Sequence, residues 1–343
     1  MKGPHIAIIG ATGAVGRVLL DIITERAFPT SSIRLCASER SWGKSLSVAN
    51  KMVTVEEATP QLLNESDIVF IAAGSETSRK LAPLAVEQGA FVIDKSSAFR
   101  MDLNVPLVVP EINSSDLSVH KGIVASPNCS TAPLVMVIKP LNDLIAITRV
   151  IADTYQSVSG AGSLAMKELL DQSRDMATGS PINTKEFPHR IAFNLFPHIE
   201  EFHENGFTNE EIKMVEESRK ILHLPDLAIS ATCVRVPVLI GHSEAVHIEF
   251  KKVISPDLVR EILTTVPGIQ VMDDPNTNMY PMPINAAGKD DVLVGRIRQD
   301  PANRKQISMW LSCDNLRKGA ALNAIQIAEE MLHRNIPLNH RRF

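Results

Sequence analysis

One cysteine stands where a nucleophile would be put. The stretch Ser126-Pro127-Asn128-Cys129-Ser130-Thr131 lies between a strand-like run ending near Ala125 and a helix predicted to open at about Thr131. Pro133 falls in the first turn of that helix, where a missing N–H costs nothing. A thiol ahead of a helix faces unpaired backbone N–H groups and the positive end of the helix dipole, which favour thiolate over thiol. Thiolate is the attacking form, so covalent catalysis fits this position. The competing reading is a buried structural cysteine, the commoner fate of an isolated thiol. Cys36, Cys233 and Cys313 lie inside strand-like runs and read as small apolar residues.

Other residues supply what such a nucleophile needs. His242 has a side chain whose ordinary pKa suits proton movement in either direction near neutrality. Arg235 offers the planar fork that matches a carboxylate, and a strand and a turn between the two residues would bring both to one rim. Isolated histidines more often serve surface or packing, and His189, His198 and His203 are read that way. Glu210 and Lys213 lie three apart on a helix opened by a Thr208/Glu211 capping box, so they share a face and could grip one small ligand. Their alternative is a surface pair worth about a few tenths of a kcal/mol. Arg100 follows a Ser-Ser-Ala-Phe segment after a strand ending at Asp94, at the sheet edge where α/β folds bind ligands. Gln156 comes late in a strand, just before a glycine loop, where its amide either positions a bound group or satisfies backbone.

A second constellation points to a dinucleotide. Gly10-Ala11-Thr12-Gly13-Ala14-Val15-Gly16 follows a strand and opens a helix, which suits a tight turn with a pyrophosphate on the helix N–H groups. The spacing is G-x-x-G-x-x-G rather than G-x-G-x-x-G, and such glycines also make plain turns. After the second strand, where an Asp would bind a ribose hydroxyl, the chain reads Ser38-Glu39-Arg40-Ser41. Arg40 between two hydroxyls suits a 2′-phosphate and favours NADP over NAD; Glu39 argues the other way. Gly74 ends the next buried strand, where backbone can pass close to the cofactor.

The elements around these residues divide the chain. At 343 residues it exceeds one hydrophobic core, so two domains are expected. Apolar content of 44% with 22% charged residues fits a soluble globular protein rather than a disordered or membrane one. A net charge of -4 gives no general attraction to nucleic acid or anionic lipid. Four scattered cysteines without a Cys-x-x-Cys pair argue against a metal site or disulfide scaffold and suit a reducing cytoplasm. The opening residues do not show a signal-peptide pattern and no apolar run reaches membrane length, so a cytoplasmic protein is expected. Apolar runs at 5–9, 33–37, 68–73, 91–94 and 123–125, with helices at 17–26 and 78–88, predict a doubly wound α/β domain. Strands at 149–158, 229–236, 244–252 and 307–313 predict a mostly antiparallel α+β half, with helices at 163–176 and 256–265. A last helix, 316–333, is placed to return to the first domain.

With these segments in place, the chain resembles aspartate-semialdehyde dehydrogenase of the bacterial type over nearly its full length. The likeness rests on GATGAVG from Gly10, SERSWGK from Ser38, SSAFR from Ser96, SPNCST, TYQSVSGAG from Thr154, NGFTNEEIKM from Asn205, RVPVLIGHSE from Arg235 and DNLRKGAALNAIQIAE from Asp314. The resemblance implies a Rossmann domain (1–128 with 315–343), a catalytic and dimerisation domain (129–314) of glyceraldehyde-3-phosphate dehydrogenase-like architecture, and a homodimer. It also implies the reaction: NADPH-dependent reductive dephosphorylation of L-aspartyl 4-phosphate to the semialdehyde, toward lysine, threonine and methionine. The family's nucleophile falls on Cys129, its thioester-side glutamine on Gln156 and its acid/base on His242. Substrate carboxylate and amino contacts fall on Arg235 and Glu210, phosphate contacts on Arg100, Asn128 and Lys213. Cofactor contacts fall on Gly10, Thr12, Gly13, Ala14 and Val15, on Arg40 and Ser41, on Ser159-Gly160, and on Asn315 or Gln326. Trp42 departs from the pattern, since a small residue is usual after the arginine-serine pair. N-acetyl-γ-glutamyl-phosphate reductase is the nearest alternative, but it usually carries Pro-Gly-Cys where this chain has Pro-Asn-Cys. A glyceraldehyde-3-phosphate dehydrogenase fits the architecture but not the motifs. A silent homologue acting as a binding protein would have shed Cys129, His242 or Arg235, and all three are kept.

Overall fold

The computed structural model describes residues 3–338. The chain divides into two compact units: Asn128–Gly319 forms one, and the residues before Asn128 and after Gly319 form the other.

The first unit is built on seven strands: β1 (His5–Ile9), β2 (Ser32–Cys36), β3 (Ser45–Val48), β4 (Lys51–Glu56), β5 (Ile68–Ile71), β6 (Phe91–Asp94) and β7 (Ile123–Ala125), in the order β3-β4-β2-β1-β5-β6-β7. All neighbours are parallel except the β3/β4 hairpin. Unbroken apolar runs form these strands because both faces are covered. Ile6, Ile8, Ile68 and Phe70 face one core, shared with Leu19, Ile22 and Ile23 of the helix Ala14–Glu25. Ala7, Ile9, Val69 and Ile71 face the other, shared with Leu62 and Ala82. The helix Leu322–His333 adds Ile325, Ala328 and Met331 to the first of these cores.

Two local readings change. The first helix starts at Ala14, directly after Gly13, rather than near Arg17, so the glycine loop is tighter than expected. The β3/β4 hairpin was not expected. Its turn is Ala49-Asn50, both with positive φ (48° and 60°), a conformation usually signalled by Asn-Gly.

The second unit carries β8 (Ile147–Gln156), β9 (Ala228–Arg235), β10 (His242–Phe250), β11 (Ile269–Val271), β12 (Val292–Gln299) and β13 (Gln306–Cys313), in the order β11-β12-β13-β10-β8-β9. β8/β9 and β11/β12 are parallel and the rest antiparallel. β11 and β12 escaped the sequence reading. Strand register brings the polar residues together: Gln156 pairs with Arg235, Ser243 with Tyr155, and His242 with Cys313. The end of β8, the end of β9, the start of β10 and the end of β13 therefore share one rim. Residues 236–241 cross the end of β8, where Val158 and Ser159 donate to the carbonyls of Val238 and Leu239.

Candidate active site

Cys129 sits two residues before the helix Thr131–Leu144, whose apolar side chains are almost all buried. Its short loop is pinned from the helix Asn209–Leu222. The Asn128 N–H donates to Glu217 Oε2 (2.6 Å), and Asn128 Nδ2 donates to Glu210 Oε1 (2.8 Å). Asn128 Oδ1 in turn accepts from the Ser130 N–H (2.8 Å). That second helix opens on the expected capping box, Thr208 and Glu211 bonding each other's backbone N–H.

The thiol meets the histidine. Cys129 Sγ lies 3.3 Å from His242 Nε2. On its other side, His242 Nδ1 is met by the Ser157 N–H (3.1 Å) and Ser157 Oγ (3.0 Å). Arg235 Nη1 donates to the Ser157 carbonyl (2.7 Å) and the guanidinium stands over the Phe187 ring. Burial pulls the Arg235 guanidinium below its ordinary value, while Glu210 and then Cys129 pull it back up. Gly160 lies beside both groups: a methyl there would sit 3.1 Å from Arg235 Nη1 and 3.3 Å from His242 Nε2. Gln156 is buried at the end of β8, its amide donating to Thr154 Oγ1 (3.2 Å). Lys213 reaches Glu200 and Glu210, the second at 3.4 Å, so the face it shares with Glu210 is real.

The four cysteines separate by environment. Burial pushes the Cys36 thiol up to about 12, and raises Cys233 and Cys313 as well. Those three are fully buried, whereas Cys129 is partly exposed. Neutral, buried thiols are poor nucleophiles, so only Cys129 is placed for attack.

At the dinucleotide end, Gly10 has φ +88°, and a methyl there would press to 2.5 Å from the Ala72 carbonyl oxygen. The helix behind it has Gly13 as N-cap, with no capping side chain and no acid in its first turn. Its leading N–H groups are thus left for an anion, in a loop without a side chain to fill it. Thr12 Oγ1 lies 3.3 Å from Ser41 Oγ, Arg40 is exposed beside it, and Trp42 donates from Nε1 to the Ala37 carbonyl. Gly74 precedes the helix Ser75–Glu87, with nothing within 4 Å of where a Cβ would stand. These residues fit a dinucleotide.

A family model described as semialdehyde dehydrogenase, NAD binding domain matches residues 5–120, and one described as semialdehyde dehydrogenase, dimerisation domain matches 138–318. The chain is 49% identical to aspartate-semialdehyde dehydrogenase of Aquifex aeolicus over 95% of its own length and 97% of that protein's. Against the Bacillus subtilis protein of the same name the identity is 44%, over 98% and 99%. The crystal structure of aspartate semialdehyde dehydrogenase II complexed with ASA from Vibrio cholerae superposes with a TM-score of 0.94 at 42% identity, covering 97% of this chain and 99% of that one. The Candida albicans structure with NADP gives 0.76 at 26% identity, covering 97% and 99%. The chain belongs to the aspartate-semialdehyde dehydrogenases. It is an oxidoreductase whose first unit is the family's NAD-binding domain.

Within that family frame, the second unit alone gathers Cys129, His242, Gln156, Arg235, Asn128, Glu210, Lys213, Ser159, Gly160 and Asn315. Arg100 belongs to the first unit, buried, with Nε on the Ser126 carbonyl (3.0 Å) and Nη2 on the Lys95 carbonyl (2.8 Å). Gln326, also there, donates to Glu111 Oε1 (2.9 Å). Asn315 is buried, its amide engaged with Ser157, Ser159 and Gly241. The sequence reading passed over three residues. Glu217 stands seven beyond Glu210 on one helix face, a spacing visible in the sequence. Ser157 lay unremarked inside the TYQSVSGAG segment. Gly319 sits in a π-helical turn, Arg317–Ala321, where a continuous helix from Leu316 had been expected. A methyl on Gly319 would come within 2.9 Å of Cys129 Cβ, so the wide turn with a bare glycine makes room for Cys129.

Proposed function

We propose that this protein is the NADP-dependent aspartate-semialdehyde dehydrogenase of its host, working through a thioester on Cys129. The observation that carries the reading is the Cys129 Sγ–His242 Nε2 contact at 3.3 Å, with Arg235 turned in beside it. The Cys129 sulfur attacks the acyl carbon of L-aspartyl 4-phosphate; the carbon–sulfur bond forms as the carbon–oxygen bond to phosphate breaks. Arg235 holds the α-carboxylate through two parallel bonds, and Glu210 takes the amino group. Lys213 and Asn128 take the phosphate, and the Gln156 amide orients the thioester. Bound NADPH supplies the hydride that reduces the thioester to the aldehyde. The N–H groups ahead of the helix Ala14–Glu25 hold the pyrophosphate, and Arg40 with Ser41 holds the 2′-phosphate.

A homodimer goes with this reading. Residues of β8, β10 and β13 that point away from the buried face leave Tyr155, Ala245 and Trp310 half-exposed, the two rings 5.1 Å apart. A cavity of about 340 Å³ beside them is lined by Tyr280, Met282 and Met309. An apolar face of this kind on one side of an antiparallel sheet suits a second copy. No helix among the described residues is long and apolar enough to cross a membrane. Four free cysteines are in keeping with a cytoplasmic location.

The deciding experiment is phosphate-dependent reduction of NADP by the purified protein with aspartate semialdehyde. Turnover that requires phosphate supports the assignment. Silence there, with turnover on N-acetylglutamate semialdehyde, would transfer it to the acetylglutamyl enzyme. A sedimentation mass of a single chain would remove the dimer.

A further inference from the structure

The helix Ser163–Thr178 is followed by a stretch, 179–208, that forms neither helix nor strand. Its middle is nonetheless buried, with Ile191 and Ala192 fully covered and Phe187 and Phe196 nearly so. Buried main chain without a ladder needs its N–H and C=O groups paired some other way. Two side chains one turn apart on the helix supply the partners. Glu168 Oε2 accepts from the Lys185 N–H (2.9 Å) and the Glu186 N–H (2.6 Å). Gln172 Oε1 accepts from the Ile191 N–H (3.0 Å) and the Ala192 N–H (3.1 Å). Gln172 Nε2 donates to the Asn183 carbonyl (2.9 Å) and to Glu168 Oε1 (3.1 Å). Main-chain N–H groups only donate, so the Gln172 amide has one orientation and Glu168 accepts at both oxygens. Both side chains are buried, and those donors offset the cost of placing a carboxylate there.

The pinned segment forms one wall around Arg235. Phe187 directly follows Glu186, and its ring centroid lies 5.9 Å from the Arg235 guanidinium carbon. Phe196 backs that ring edge-on, with centroids 5.8 Å apart, and exchanges both main-chain bonds with Arg235 (2.9 and 3.1 Å). A guanidinium is flat, so a ring against its face and the Ser157 carbonyl on Nη1 (2.7 Å) fix its plane. Its Nε–Nη2 edge makes no hydrogen bond among the described residues and is the edge left for a carboxylate. We propose that Glu168 and Gln172 are positioning residues for substrate recognition: they hold Phe187 against Arg235, and Phe187 sets the plane in which the guanidinium meets the substrate's α-carboxylate. The proposal rests on the reading of Arg235 as the carboxylate ligand and adds the groups that aim it. A guanidinium that has to find its plane on binding loses affinity to ordering, and one already held does not. No bond made or broken in the reaction changes, so the effect falls on KM rather than kcat.

The test is steady-state kinetics of the full chain with aspartate semialdehyde, phosphate and NADP. Phe187→Met keeps apolar bulk but removes the ring. It should raise the KM for aspartate semialdehyde about fivefold or more, with kcat and the KM for NADP within about twofold of the parent. Phe187→Tyr keeps the ring and should stay within about twofold on all three. A parent-like KM in Phe187→Met, or equal losses in the Met and Tyr variants, would overturn the role of the ring. Glu168→Gln sets an amide NH2 against either the main-chain donors or the Gln172 amide, and Gln172→Met drops three main-chain bonds. Each should raise the same KM about threefold or more and leave kcat in place. Added to Phe187→Met, either should cost nothing further, because it acts through a ring already gone. Effects that multiply would overturn the relay from the helix. Arg235→Lys separates this inference from the reading beneath it. A raised KM there, beside parent-like Phe187→Met and Glu168→Gln, would overturn this inference alone. An unmoved KM in Arg235→Lys would overturn the carboxylate reading and this inference with it.

Discussion

The sulfur site and the glycine loop are built by opposite means. Around Cys129, groups from the helix Asn209–Leu222, from the start of β10 and from the loops beside β8, β10 and β13 lock one another: Asn128 to Glu210 and Glu217, Ser157 to His242, Asn315 to Ser157 and Gly241. At Gly10–Gly16 the working surface is main chain, with Arg40 exposed and a single hydroxyl contact between Thr12 and Ser41. Reacting atoms have to be held within a fraction of an ångström, so that site is fixed in advance by bonds among protein groups. A dinucleotide brings its own charge and shape, and a turn with free N–H groups is enough to receive it. Substitutions in the first region should therefore strike turnover, and those in the second affinity and selectivity.

The largest separation of the two is expected from Cys129→Ser. Turnover should fall by about 10³-fold or more while NADP binding, followed by calorimetry, stays intact. Loss of both together would mean that the cysteine is structural. Arg235→Lys comes next. One ammonium cannot reproduce two parallel bonds, so the KM for aspartate semialdehyde should rise by about 10- to 100-fold. An unchanged KM would take Arg235 out of the site. Arg40→Ala tests the other region: the KM for NADP should rise about tenfold with that for NAD little changed, and equal effects on both would deny a 2′-phosphate contact.

The smallest effect sharpens the comparison from below. Glu244 lies two residues past His242 on the same face of β10, fully buried, and neither carboxylate oxygen meets a hydrogen-bond partner among the described residues. Burial pushes its carboxyl well above the usual range, so it stands as a neutral acid. The folded protein then binds a proton that the unfolded chain releases near pH 4.5. Its stabilising share is complete below that pH and is lost as pH rises toward the folded value. Glu244→Gln removes the loss, so its Tm relative to the parent should climb by a few degrees between pH 5 and pH 8. A flat difference across that range would show Glu244 ionised or paired in the folded state.

Much of the molecule was legible beforehand, for local reasons. Strands β1, β5, β6 and β7 announce themselves because a strand covered on both faces must be apolar throughout. The Thr208/Glu211 capping box reads directly, since its two bonds span three residues. The β3/β4 hairpin hid because Ala49-Asn50 takes a turn that its residue types do not advertise. β12 hid because Gly295 interrupts it at a bulge, where Arg296 turns to positive φ. At the site, Cys129, Arg235 and His242 stood out by type and place. Glu217 and Ser157 did not, because a buried acid and a serine gain meaning only from the atoms they face.

The sequence by itself determined which residue types stand at each turn, cap and strand end, and with them the family, the candidate nucleophile and the glycine loop that fits a dinucleotide. These come from forces acting over a few residues along the chain. Only the tertiary structure decided which of those residues meet. Gln156 reaches Arg235, and His242 reaches Cys129, because strand register and packing bring together atoms that the chain keeps about eighty residues or more apart.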